Sequence, residues 1–86
     1  MDWKNLKYVL VEWVDSVSHD PWEHYSDAEF APHTIVSVGI LLRDDTNIVA
    51  LALNADPSSE MISCTITIPK SCIVRMEDLC QKNQKK

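Results

Sequence analysis

Apolar residues recur at every second position in several segments of the chain, and this spacing predicts β-strands with one buried face. The first such segment places Val9, Val11 and Trp13 on one side. We expect the alternating residues to form the core of one sheet. In the later segments they are Val36, Val38, Ile40 and Leu42, then Val49, Leu51 and Leu53, and finally Ile62, Cys64, Ile66 and Ile68.

Prolines and polar clusters divide the chain into five predicted strands, at residues 8–17, 34–43, 47–54, 61–68 and 72–79. Short turns join the later strands, so we expect an antiparallel arrangement. Gly39, in the middle of the second strand, predicts a bend or a bulge there. The predicted fold class is mainly β, a small five-stranded antiparallel barrel whose long first loop covers residues 18–33.

Two short helical segments are predicted outside the strands. Ser26 and Glu29 have the spacing of a capping box, which predicts one helical turn in the first loop, and Pro32 ends it. A further helical signal covers residues 2–7. A length of 86 residues fits one domain, which we place at residues 1–80, with a flexible polar tail at 81–86.

The order of these segments resembles that of Src-homology-3-like and Sm-like barrels. Two pieces carry the resemblance, SVGILLRDD at 37–45 and IPKSCI at 68–73. The same pieces are similar to short segments of small uncharacterised bacteriophage proteins. The resemblance implies a small-barrel fold and a phage or prophage origin, and it implies no catalytic residues. The first loop departs from the Sm pattern, because Trp22, His24 and Tyr25 have no counterpart there.

The composition limits the kinds of partner and the cellular compartment that we expect for the protein. The formal net charge of −5 disfavours direct nucleic-acid binding, which needs a basic face. No apolar run approaches the roughly 20 residues of a membrane span, and no signal peptide is recognisable at the start. The three cysteines, an odd number without a C-x-x-C motif, predict a reducing cytoplasm and no disulfide. For a phage-encoded chain this is the host cytoplasm.

Catalytic and metal-binding chemistry find little support in the sequence. His19, His24 and a nearby carboxylate could supply metal ligands, but their spacing suits a helix poorly and Pro21 interrupts the segment. The single glycine excludes phosphate-binding loops and the nucleophile elbow of hydrolases. We therefore expect no catalytic residues, no metal site and no cofactor, and we predict that the protein is not an enzyme.

The first loop is the candidate partner surface. No lysine or arginine occurs from residue 8 to residue 42, whereas six acidic residues do. The loop also carries the rings of Trp22, Tyr25 and Phe30, and aromatic residues on polar loops often anchor interfaces. We expect it to recognise a basic surface of a host protein, unless these rings fold back over the barrel mouth as core. The candidate residues are Asp20, Trp22, Glu23, His24, Tyr25 and Asp27.

A second candidate surface is an oligomer interface. Several apolar residues of the first two strands lie opposite the predicted core sets, where a monomer would leave them exposed. They are Tyr8, Leu10, Val14, Ile35 and Leu41. We expect a homo-oligomer, unless the N-terminal segment with Trp3 and Leu6 covers this patch.

The function predicted from these features is that of a non-enzymatic binding protein of phage type. It would act through protein–protein contacts as a modulator or inhibitor of a host process. Two alternatives stay open: an acidic nucleic-acid mimic or an RNA-related Sm-like barrel, and a small-ligand binder formed at a subunit interface.

Overall fold

The five predicted strands are present in the computed structural model, which describes residues 2–16 and 21–79. Each strand begins and ends within two residues of its predicted limits. The tail at 81–86 lies outside the described residues. The strands are β1 (Tyr8–Asp15), β2 (His33–Asp44), β3 (Ile48–Asp56), β4 (Met61–Pro69) and β5 (Ile73–Asp78).

The strands form one antiparallel sheet in the order β4-β3-β2-β1-β5. The first four follow one another as a meander, and β5 returns to pair with β1 on its other side. The prediction of a mainly β fold with five antiparallel strands is confirmed. The sheet is open, with β4 and β5 as its two edges, so a closed barrel is not what the structure shows.

The core lies on one curved face of the sheet and draws residues from both ends of it. Five side chains are buried together, those of Val9, Val11, Val49, Leu51 and Ile68. Burying each of them contributes roughly 1.5–3 kcal/mol to the stability of the fold. Partly buried side chains packed against them include Trp13 of β1, Cys72 of the link between β4 and β5, and Ile73 of β5. The placement of Val9, Val11 and Trp13 on one face is therefore confirmed.

The predicted core face of β2 is wrong. Leu41, predicted to lie opposite the core, packs against it, and Ile40 is buried on the other side of the sheet. Val11 pairs with Ser37 and Trp13 with Ile35, so Ile35 and Ser37 share the core face while Val36 and Val38 point to the opposite side. The indole Nε1 of Trp13 donates a hydrogen bond to Ser37 Oγ at 3.0 Å. Val36 and Val38 are more than half exposed.

The predicted core sets of β3 and β4 hold only at the end of this hairpin where β4 leads into β5. Val49, Leu51 and Ile68 are buried, but Leu53 and Ile62 are exposed, because this end of the hairpin extends beyond the pairing with β2. Cys64, predicted to face inward, is exposed. Its φ of 56° lies in the left-handed region, and the register of β4 with β3 is the same on both sides of it.

A β-bulge in β2 falls between Leu41 and Arg43 rather than at Gly39. Another lies opposite β1, where Val74 has no partner between the pairs of Glu12 and Trp13. Bulges increase the twist of a sheet, and these two lie on either side of the core.

The helical elements among residues 2–16 and 21–79 are three single 3₁₀ turns, at Trp3–Asn5, Tyr25–Asp27 and Lys70–Cys72. The two predicted segments are thus present as short turns. In the loop, His24 precedes the turn and no side chain caps it, so the capping box predicted for Ser26 and Glu29 does not form. None of these turns has the length or the apolar character to cross a membrane.

Candidate functional site

The first loop presents three aromatic rings to solvent. Trp22 is fully exposed, and Tyr25 and Phe30 are 85% and 75% exposed. The alternative in which these rings cover a barrel mouth is therefore wrong. Asp20, the first residue of the predicted surface, lies outside the described residues, as does His19.

Backbone hydrogen bonds and the two flanking prolines shape the loop. The N–H of Asp27 donates to the carbonyl oxygen of His24 at 2.9 Å, and the N–H of Ala28 donates to that of Tyr25 at 3.2 Å. This turn brings the ring centroid of Tyr25 to 6.1 Å from that of Phe30, with the planes tilted by 48°. Tilted pairs at this distance are mildly attractive, so the two rings support one another while most of each stays exposed.

The acidic residues of the loop have no cation beside them in the described part of the chain. The ion pairs there join other elements, as where Arg75 Nε contacts Glu12 Oε1 at 3.0 Å between β5 and β1. Glu23, Asp27 and Glu29 are exposed and take part in none of these pairs. The loop thus carries uncompensated negative charge, which attracts cations over several ångströms.

An open cleft of about 480 Å³ lies between this loop and the end of β1. Two acidic residues, Glu23 and Glu29, and the aromatic Phe30 are among the residues that line it. Carboxylates pair with a guanidinium or ammonium group, and an aromatic face attracts the same cation. The cleft can therefore hold a basic side chain. Its remaining lining is Ser16, Ala28, Ala31 and Pro32.

The structure brings the predicted surface together and adds to it. Trp22, Glu23, His24, Tyr25 and Asp27 all lie in one exposed segment. Glu29 and Phe30 join them through the cleft, which they line with Glu23, and no sequence pattern predicts this. Only the path of the backbone after the 3₁₀ turn places them there.

The predicted oligomer residues do not form one surface. Tyr8, Leu10 and Val14 lie on the side of the sheet opposite the core, whereas Ile35 and Leu41 lie on the core side. Leu6 borders a cleft with Leu41 and Leu42 at one end of the sheet. Of the predicted patch, Tyr8 stays exposed, and the other four residues are half-buried.

In residues 2–16 and 21–79, no three histidine, cysteine or acidic side chains meet in a way that would hold a metal ion. Of the cysteines in those ranges, Cys64 is exposed and Cys72 half-buried, and neither is in a disulfide. No protein-family model matches the sequence, and no curated protein or solved structure is significantly similar to it.

Proposed function

We propose that the protein is a non-enzymatic binding module that recognises a basic surface of another protein through its first loop. The observation that carries the proposal is the exposure of Trp22, Tyr25 and Phe30 in a segment without positive charge. Exposed rings of this size stay in water at a cost unless a partner covers them. Tryptophan and tyrosine are among the residues most enriched at interface hot spots.

The cleft supports a specific mode of recognition. An arginine or lysine of the partner would place its charged group between Glu23 and Glu29 and its stem against Phe30. Trp22 and Tyr25 would then cover the apolar residues beside that cation. In this arrangement the acidic residues speed the encounter, and the rings supply most of the affinity.

We further propose kinship with Src-homology-3-like or Sm-like barrels and a phage or prophage origin, with a host protein as the partner. The strand order, with β5 beside β1 and a 3₁₀ turn between β4 and β5, supports the first. The resemblance of residues 37–45 and 68–73 to phage segments supports the second.

The proposal is tested with the full chain as bait in lysates, compared with Trp22→Ala and Val74→Ala baits. A partner of this loop should be retained by the chain itself and by Val74→Ala, an exposed site on β5. It should bind Trp22→Ala roughly 30- to 1000-fold more weakly, as for a hot spot of about 2–4 kcal/mol. Equal binding to all three baits would contradict the proposal.

A defined probe tests the cleft without any knowledge of the partner. An arginine-rich peptide should shift the amide resonances of residues 23–30 in a nuclear magnetic resonance titration, and added salt should weaken the effect. A glutamate-rich peptide of the same length should shift none of them. Shifts spread evenly over β4 and the loop would show charge attraction without a site.

A further inference from the structure

The free edge of β2 is the most unusual feature of the sheet outside the loop. Residues His33 to Gly39 pair with β1, but the pairing of β2 with β3 begins only at Ile40. Beyond that point β3 pairs with β4 alone. The two hairpins therefore separate at Gly39 and leave one side of β2 without a neighbour among the described residues.

The hydrogen-bond pattern identifies which backbone groups are left open. The N–H of Leu41 donates to the carbonyl oxygen of Lys7 at 2.9 Å, and the register with β1 continues without a shift to His33. Hydrogen-bonded and non-bonded residue pairs alternate in an antiparallel ladder. Counting from Leu41 toward His33, every second residue of β2 therefore directs its N–H and carbonyl groups toward β1. The residues between them, Thr34, Val36 and Val38, direct their N–H and carbonyl groups away from it.

This edge lacks the features that usually prevent strand pairing. No charged residue or proline occurs from residue 34 to residue 42, whereas exposed edges are normally protected by lysine, proline or bulges. The other two edges differ from it. The β5 edge carries Arg75, Glu77 and Asp78, and the β4 edge contains Cys64 in the left-handed conformation.

We propose that a second copy of this chain pairs with the β2 edge about a two-fold axis at Val36. Thr34 and Val38 lie two residues on either side of Val36, so the edge is complementary to itself in the antiparallel sense. Val36 would face Val36 of the second copy, and Thr34 would face its Val38. Three bonded pairs would make about six hydrogen bonds, two for each pair.

Apolar side chains stay exposed along this edge. Val36 and Val38, which are 58% and 53% exposed, lie beside Leu10 in the face that the pairing would extend. The acidic loops would lie at opposite ends of the paired edges, so they would not repel one another closely.

The test compares the molecular mass in solution of three proteins: the unaltered full chain and the matched variants Val36→Lys and Val74→Lys. The two valines are almost equally exposed, at 58% and 59%, but lie on different edges. Val36→Lys places two positive charges together at the axis, while Glu12, its cross-strand neighbour, accommodates the change within one chain. We expect a dimer for the unaltered chain and for Val74→Lys, and at least a tenfold weaker dimer for Val36→Lys.

Amide hydrogen exchange of the unaltered chain gives a second readout that needs no variant. At roughly 100 µM the amides of Thr34, Val36 and Val38 should be protected, and dilution should remove that protection. A monomer with rapid exchange at these amides would overturn the proposal. So would a dimer in which they exchange rapidly, or a monomer in which only an arginine-rich peptide protects them. If both lysine variants unfold, protection of these amides in the unaltered dimer still decides the question.

Discussion

Gly39 lies so close to β3 that a Cβ atom placed on it would come within 2.9 Å of the carbonyl oxygen of Ala52 and 3.3 Å of the Cβ of Leu51. The first distance is shorter than two such atoms tolerate. The absent side chain therefore lets β3 approach β2 at the point where the two hairpins begin to separate. It also explains why the only glycine of the chain lies in the middle of a strand.

Gly39→Ala should accordingly destabilise the fold. The added methyl group meets backbone, which cannot move aside without displacing β3 from Ile40. We expect a loss of about 1–3 kcal/mol, typical of overpacking, and a melting temperature lower by roughly 4–8 °C for each kcal/mol. A thermal melt followed by far-ultraviolet circular dichroism measures it. An unchanged or higher melting temperature would show that the close approach is relieved at no cost.

Two isoleucines of β4 should respond very differently to truncation. Ile68 is buried against Val49, whereas Ile62 is partly exposed beyond the end of the core. Ile68→Ala should cost about 2–5 kcal/mol, because it removes buried methyl groups and leaves a cavity. Ile62→Ala should cost less than about 1 kcal/mol. Urea denaturation of both variants measures the loss of unfolding free energy. Equal losses would mean that the end of the β3–β4 hairpin around Ile62 is packed as well.

The strand pattern was predictable because period-two alternation and the turn residues act locally. The choice of buried face in β2 was not, because Val36 and Val38 alternate with Ile35 and Leu41, which are equally apolar. Pairing with β1 decides it, through the Trp13–Ser37 hydrogen bond and the space that Gly39 leaves. These are contacts between distant parts of the chain. The aromatic loop was recognisable by composition, but the cleft of Glu23, Glu29 and Phe30 depends on the path of the backbone.

Truncation of Trp13 should lower the stability of the fold, whereas truncation of Trp22, a residue of the proposed binding surface, should not. Trp22→Ala should leave the free energy of unfolding within about 0.5 kcal/mol, because the ring is fully exposed. Trp13→Ala should cost on the order of 3 kcal/mol, because it removes a ring packed against the core and its bond to Ser37. Thermal melts of both variants measure this. A melting temperature that falls by more than 10 °C in Trp22→Ala would show that the ring is packed in solution.

Asp45 should make the stability of the β2–β3 turn depend on pH. Its Oδ1 accepts the N–H groups of Ile48 at 2.9 Å and of Asn47 at 2.8 Å, and its Oδ2 lies 2.9 Å from Arg43 Nε. These contacts, the bond from Ile48 first, lower the pKa of the carboxyl below its ordinary value of 3.8. The unfolded chain therefore binds this proton more readily, so the stabilisation is complete above about pH 5 and is lost as the pH falls below 3.8. Asp45→Asn keeps an oxygen acceptor but has no charge to titrate. We expect its melting temperature to lie below that of the unaltered chain at pH 7 and the difference to shrink at pH 2.5. A difference that stays constant between these two pH values would assign the role of Asp45 to its shape rather than to its charge.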